Sequence, residues 1–250
     1  MKLKIGTYNI CHCVDFSNGN GSGAEFYKDV KIDKTAYAIN KLGLDIIGLN
    51  EVYSQGEVQG FVNQTGKIAC FTGHKYFEFA LGEKYPNATI GNAILSNYEI
   101  VKTQSVIVKK PPVSERPKNG KWWEDRVLLV EDINVLGKTI RVIQTHFGLN
   151  QIEQENIVSK LIEIIDASEY PVILMGDFNV EPDNPVLECI YERLKSVAKE
   201  VGNTEFTFAS YAPKERIDYI FVPKSTKINS FTVHDIKSSD HRPITAEIEL

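Results

Sequence analysis

Apolar residues along this chain fall mostly into short alternating or continuous runs, the pattern of strands buried on one or both faces. Such runs predict strands at Leu3–Ile10, Asp45–Asn50, Tyr76–Ala80, Ala93–Ser96, Ile100–Val108, Val127–Asn134, Thr139–Thr145, Val172–Gly176, Asp218–Val222, Ile228–His234 and Ile244–Glu249. Elsewhere the period becomes helical. Ile32, Ala36 and Ile39 recur at i, i+4 and i+7, with Asp33 as the expected N-cap and Gly43 as the stop. Ile157, Leu161, Ile164 and Ile165 mark a second apolar helical face, and Asn150 with Glu153 forms its capping-box signature. Pro185–Tyr191 fits a shorter helix. Two segments show neither period: Asn18–Gly23, rich in Asn, Gly and Ser, and Lys109–Asp125, with three prolines followed by Trp122 and Trp123.

The order of elements repeats once. One half runs from TYNI to IIGLNE, the other from IQTH to VILMGDFN. Each holds a strand ending in a polar residue, a helix, and a buried strand ending in an acid. Two such halves predict two packed sheets with helices outside. No linker rich in Pro, Gly or Ser divides the chain, so residues 1–250 are expected to form a single domain.

Composition changes this picture little: 42% hydrophobic and 24% charged residues are ordinary for a globular protein. The net charge of −5 supplies no strong basic field, a weak argument against nucleic acid or an anionic membrane as partner. There are four cysteines; Cys11 and Cys13 are too close for an ordinary bridge, and no second pair lies at zinc spacing. The expectation is free thiols in a reducing compartment. The start, MKLKIGTYNI, passes straight into a strand with no apolar run of signal-peptide length. A cytoplasmic location is expected, with no membrane insertion and no implied protein partner.

The chemistry shows where strands stop. IGTYNI carries Asn9, DIIGLNE ends at Glu51, RVIQTH at His146, VILMGDFN at Asp177 and Asn179; ERIDYIFV opens on Asp218, and SSDHRP places Asp240 and His241 before the last strand. Carboxylates leaving apolar strands are costly unless paired, hydrated or bound to metal. Their recurrence predicts strand ends converging on one polar site at a sheet edge. Hard oxygen donors suit Mg²⁺ or Mn²⁺, and the histidines suit proton or phosphate handling. Together these parts describe water attack on a phosphate ester.

Each residue also has a plainer interpretation. Asn9 alone would cap a turn, Glu51 would be a solvated strand end, and His146 a satisfied strand-end histidine. Asp177 and Asn179 suit an Asx turn before Pro182, which is compatible with catalysis. Asn150 is accounted for by its helix cap. His12, His74 and His234 are expected to be structural or exposed. Asn92 in GNAILS either contacts the site or only shapes a strand. Trp122 and Trp123 form either a hydrophobic staple for their loop or an aromatic lip contacting substrate.

The ordered set TYNI, LNEV, GNAILS, QTH, GDFN, RIDYIF and SDHRP resembles the endonuclease/exonuclease/phosphatase superfamily from Thr7 to Pro243. The resemblance implies an α/β fold, a four-layer αβ sandwich of two mixed β-sheets flanked by helices. It implies Glu51 as the principal Mg²⁺ ligand with Asn9 and Asp240 beside it, and Asp177 orienting or deprotonating water with Asn179 on a phosphate oxygen. It further implies a dyad of Asp218 with His241, His146 as proton donor or phosphate contact, and Arg126 facing the site, where an exposed ion pair is the alternative. The implied activity is Mg²⁺-dependent hydrolysis of a phosphomonoester or phosphodiester. DNA-repair members carry LQET where this chain has LNEV, so a DNA or RNA nuclease is the alternative, with nucleic acid not favoured as partner. A non-catalytic binding module on the same fold would have lost site residues, and none is missing.

Overall fold

Strand β1 (Lys2–Asn9) alternates at its start and is wholly buried thereafter, because it lies inside a sheet covered on both faces. The computed structural model describes residues 1–16, 30–56, 63–86 and 88–250, so the expected loop at Asn18–Gly23 lies outside the described residues. β1 is followed by helix α1 (Ile32–Leu42) and strand β2 (Ile46–Gly56), which pairs parallel to β1. The second half repeats this unit: β7 (Lys138–His146), α3 (Gln151–Asp166) and β8 (Val172–Asp177), with β8 parallel to β7. Around each parallel pair the remaining strands join antiparallel. Strands β3 (Tyr76–Tyr85), β4 (Ala88–Ser96), β11 (Lys227–Val233) and β12 (Ile244–Glu249) complete one sheet, ordered β11-β12-β1-β2-β4-β3. Strands β5 (Glu99–Val108), β6 (Arg126–Val135), β9 (Leu194–Ser196) and β10 (Asp218–Pro223) complete the other, ordered β5-β6-β7-β8-β10-β9.

Between the sheets lies a core that includes Ile5, Ile46, Ile94, Leu129, Val142, Met175 and Ile220. On the outer face of the second sheet, Ile157, Leu161 and Ile165 of α3 pack on Leu128, Ile143 and Leu174. On the first sheet, Ala36 and Ile39 of α1, with Ile68 and Ala69 of α2 (Gln64–Thr72), cover Tyr8, Ile47 and Leu49. Each fully buried aliphatic side chain contributes roughly 1.5–3 kcal/mol. The result is the expected four-layer sandwich of two mixed sheets flanked by helices. Among the described residues no helix is long and apolar enough to cross a membrane.

Several details differ from the sequence-based expectation. Helix α1 begins at Ile32 with Lys31 at the cap position and no side-chain cap, so Asp33 sits in the first turn, where its charge favours the helix dipole. Gly43 does close α1, with φ 59°. Helix α2 escaped notice because it is short and contains Gly66; the Asn63 side chain holds its start by accepting from Gly66 N at 3.1 Å. The predicted short helix opens as a 3₁₀ turn, Pro185–Leu187, before α4 (Glu188–Arg193); β9 and α5 (Val197–Glu200) follow and are too short to leave a period. Strand β2 runs past Asn50 through a bulge between Leu49 and Val52, which carries Glu51 at φ 55°.

A buried polar layer links the two sheets beneath their carboxyl ends. Asn50 accepts from Gln144 Nε2 at 2.9 Å and from Asp177 N at 3.0 Å, and donates to Asn92 Oδ1 at 2.8 Å and Thr145 O at 2.7 Å. Asn92 in turn donates to Val127 O at 2.7 Å, so this residue clips the sheets together. Gly48 makes room for the layer: a Cβ there would lie 1.8 Å from Gln144 Oε1.

Glu131 of β6 is fully buried, with its carboxylate accepting from Thr103 Oγ1 at 3.0 Å. Burial, with the charges of Glu78 and Asp132 added, pushes its pKa up to about 8. Because the folded value lies above the unfolded one, its stabilising contribution is complete at acid pH and is lost as pH rises towards about 8. Glu131→Gln is therefore expected to gain stability over the parent chain at about pH 9 relative to about pH 5, read as denaturant midpoints. Parallel pH dependence in the two proteins would show that Glu131 is ionised in the fold.

Candidate active site

The parallel pairs end in register. Asn9 lies opposite Asn50, His146 opposite Asp177, and Asp218 opposite Asp177 across the antiparallel neighbour. The carboxyl ends of both sheets therefore meet, and above them opens a cavity of about 710 Å³. Its floor holds Glu51, His146, Asp177, Asn179, Asp240 and His241, and its walls include Tyr53, Tyr85, Trp122 and Phe208.

Asn9 is the hub of the floor. Its Nδ2 donates to Glu51 Oε1 at 3.1 Å and Asp177 Oδ2 at 3.0 Å, and lies 3.5 Å from His241 Nε2. Its Oδ1 accepts from Cys11 N at 3.1 Å. Asn9 thus presents its amide N–H groups to both carboxylates and bridges them.

His241 lies between two acids. Its Nδ1 is 2.9 Å from Asp218 Oδ2, and its Nε2 is 3.5 Å from Asp177 Oδ2. Burial alone would lower its pKa; the carboxylates of Asp218 and Asp177 outweigh this and hold it well above the usual histidine range. Asp177 is raised to about 7, chiefly by burial and then by the charge of Asp218, against the opposing pull of His241. The pair shares its proton chemistry, so the two groups titrate as a unit. Asn179, at φ 52°, donates its backbone N–H to Asp177 Oδ1 at 2.9 Å and its Nδ2 to Phe147 O at 3.0 Å. That is the Asx turn expected from the sequence, and it fixes the Asp177 carboxylate.

His146 behaves oppositely to His241. Burial, with the Arg126, His241 and His12 charges added, drives its pKa well below the usual range. Arg126 Nη1 lies 3.1 Å from His146 Nδ1 and 3.0 Å from Glu124 Oε2. A guanidinium only donates, so Nδ1 accepts and Nε2 carries the proton, 3.5 Å from Asp177 Oδ2. Arg126 is buried at the site, not an exposed ion-pair residue.

The tryptophans divide. Trp122 is exposed on the cavity rim and donates Nε1 to Tyr85 Oη at 3.3 Å. Trp123 does not line that cavity; it packs over Gly120, with the Arg116 guanidinium 5.5 Å from its ring centre. Asn150 anchors the segment: Lys121 N donates to its Oδ1 at 2.7 Å, and its Nδ2 donates to Trp122 O at 3.1 Å. The cap residue of α3 is therefore also the clamp of the Trp122 loop.

His12, expected to be structural or exposed, instead lines the cavity, with Nε2 3.3 Å from Glu51 Oε2. Glu124 was also unmarked in the sequence; it pairs with Arg126 and accepts from Tyr85 Oη. Neither residue ends an apolar run, so periodicity gave no signal. His74, bonded to Thr72 Oγ1 and Leu44 O, and His234, bonded to Thr245 Oγ1, lie elsewhere. Among the described residues, two sets of donor atoms each gather within 4.8 Å: Cys11, His12 and Glu51, and Asp177, Asp218 and His241. The second set is buried and internally hydrogen-bonded, whereas the first opens on the cavity through His12 and Glu51.

The comparisons with known proteins agree with this architecture. A model of the endonuclease/exonuclease/phosphatase family matches residues 6–241. No curated protein sequence matches the chain. Among solved structures, an endonuclease/exonuclease/phosphatase protein from Beutenbergia cavernae superposes with TM-score 0.80 at 24% identity, covering 100% of this chain and 72% of that one. One from Bacteroides vulgatus gives 0.77 at 20% identity, covering 100% and 99%. A mannosyl-6-phosphatase from Bacteroides thetaiotaomicron gives 0.72 at 17% identity, covering 99% and 100%. At these identities the structures share the fold. The matched span contains every strand end that meets in the cavity, and by that match the chain belongs to the endonuclease/exonuclease/phosphatase family.

Proposed function

We propose that the protein is a divalent-metal-dependent phosphoester hydrolase in which water attacks the phosphorus of a phosphomonoester or phosphodiester. The carrying observation is the single constellation in which Asn9 ties Glu51 to Asp177 while His241 joins Asp177 to Asp218. Asp177, with its raised proton affinity, takes a proton from water at neutral pH. His241, kept protonated by its two carboxylates, faces charge developing on the phosphoryl group. His146, oriented by Arg126, offers an Nε2 proton to the same space.

A divalent cation suits this donor set. Glu51, Asp177 and Asp240 line the cavity with Asp218 behind them, and Arg126 is already paired with Glu124, so acidic groups outnumber the remaining cations. Glu51 and Asp240 would hold the ion, Mg²⁺ or Mn²⁺ by their hard oxygens. When bound, it would neutralise a phosphoryl oxygen and stabilise the leaving group. The aromatic walls and moderate cavity volume favour a small organic phosphate over duplex nucleic acid. None of the cysteines is in a disulfide, which supports a reducing, cytoplasmic setting.

The test is a panel run with Mg²⁺ or Mn²⁺: aryl phosphomonoesters and phosphodiesters, sugar phosphates, nucleotides, phospholipids, RNA and plasmid DNA. Sugar phosphates enter because one solved neighbour is a mannosyl-6-phosphatase. Turnover of a small organic phosphate is expected. Cleavage confined to DNA or RNA would make the chain a nuclease, and a flat panel would favour a binding module.

A further inference from the structure

Three consecutive non-glycine residues, Cys11, His12 and Cys13, take left-handed φ values of 41°, 58° and 64°. L-residues visit this region rarely, and then singly. Cys13 turns into the core under α1, whereas Cys11 and His12 turn towards Glu51, itself left-handed at 55°. Two unusual stretches of backbone, about forty positions apart in sequence, thus bring a thiol, an imidazole and a carboxylate together. Their donor atoms all lie within 4.8 Å of one another. Around a four-coordinate ion with metal–sulfur and metal–nitrogen bonds of about 2.3 and 2.0 Å, donors stand roughly 3–4 Å apart, so only a small contraction is needed.

The His12 ring points to what lies between them. Its Nδ1 is 3.0 Å from the Glu51 backbone carbonyl, which can only accept, so Nδ1 carries the proton. With that proton on Nδ1, Nε2 is the ring nitrogen that faces Glu51 Oε2, 3.3 Å away. A ring nitrogen donating to a backbone carbonyl while the other meets the metal is the usual way a ligating histidine is oriented. The Tyr53 ring, edge-on with centroids 4.2 Å apart, and Gln64 Nε2, donating to His12 O at 2.7 Å, hold His12 in place.

We propose that Cys11, His12 and Glu51 form a mixed sulfur–nitrogen–oxygen site for a borderline dication such as Zn²⁺ or Co²⁺, in preference to the all-oxygen environment that Mg²⁺ requires. The proposal rests on Glu51 being a metal ligand in the hydrolase described above. Thiolate and imidazole are poor Mg²⁺ ligands and good ligands for the later transition ions. Binding displaces the Cys11 thiol proton to solvent and leaves a thiolate on the metal. Asp240 lines the same cavity, and its carboxylate lies within hydrogen-bond reach of Cys11.

The experiment is a Co²⁺ titration of the full chain after chelator treatment, followed by absorbance. The expected result is a near-ultraviolet thiolate-to-cobalt charge-transfer band that saturates at one equivalent. Cys11→Ser is expected to abolish the band, and both Cys11→Ser and His12→Ala to weaken Co²⁺ and Zn²⁺ binding about ten- to hundredfold. Cys13→Ala is expected to keep the band. Melting curves establish that each variant is folded. Absence of the band in the parent chain, or its survival in folded Cys11→Ser, overturns the mixed site. If Glu51→Gln still abolishes Mg²⁺- or Mn²⁺-dependent turnover in that event, the hydrolase reading stands alone. If neither a band nor chelator sensitivity is found, both fall.

Discussion

Alanine at His241 is expected to lower kcat for a phosphoester substrate by about 10²–10⁴-fold, with little change in KM. The side chain is 5% exposed and held at both nitrogens, by Asp218 at 2.9 Å and Asp177 at 3.5 Å. Removing it takes away the group facing the phosphoryl charge and leaves two buried carboxylates without the cation between them. Asp177→Asn is expected to cost a similar factor, because the amide keeps the shape and loses the proton acceptor. Combining the two should cost little more than either alone, since residues that act as one proton-handling unit are strongly non-additive. Steady-state kinetics on folded variants checks all three. Full activity in either single variant would remove that residue from the mechanism, and additive losses would dissolve the unit.

The second large effect is metal removal. Chelator is expected to abolish turnover, added Mg²⁺ or Mn²⁺ to restore it, and Glu51→Gln to lower kcat/KM by at least about 10²-fold, corresponding to the several kcal/mol such an ion supplies to a phosphoryl transition state. The physical reason is charge. Asp177, Asp240 and Glu51 crowd one floor with Asp218 behind it, and His241 lies between Asp177 and Asp218. An anionic phosphate entering that floor meets repulsion unless a dication offsets it. Glu51 is suited to hold the ion because its bulged, left-handed backbone carries the carboxylate to the cavity, with its side chain 24% exposed while Asp177 is 2% exposed. Activity measured over a range of free metal concentrations in parent and variant decides the matter. Undiminished turnover in excess chelator would remove the cation from the chemistry.

Much of the fold was legible because strand and helix periods are local. Buried alternation along Lys138–His146 and the helical face of Ile157, Leu161 and Ile165 need no knowledge of the rest of the chain. The misses have equally local causes. Leu194–Ser196 is three residues long, Gln64–Thr72 contains a glycine and little apolar period, and the bulge at Glu51 interrupts alternation where β2 in fact continues. The convergence of Asn9, Glu51, His146, Asp177, Asp218 and His241 was foreshadowed by their placement at strand ends, where an apolar run stops on a group that cannot be buried unpaired.

By itself the sequence determined the longer strands and helices, that two similar halves pack as sheets, and which polar residues the strand ends deliver. The tertiary structure alone decided how those residues face one another. It turned the amide N–H groups of Asn9 onto Asp177, 168 positions away, and brought His12 into the cavity. It also sent Trp122 to the rim and Trp123 away from it, and shifted the proton affinities of His146 and His241 in opposite directions. The reason is that periodicity reports only which face of an element is buried. Side-chain direction, proton affinity and metal preference depend on partners from distant parts of the chain, and those are set when the two sheets close on each other.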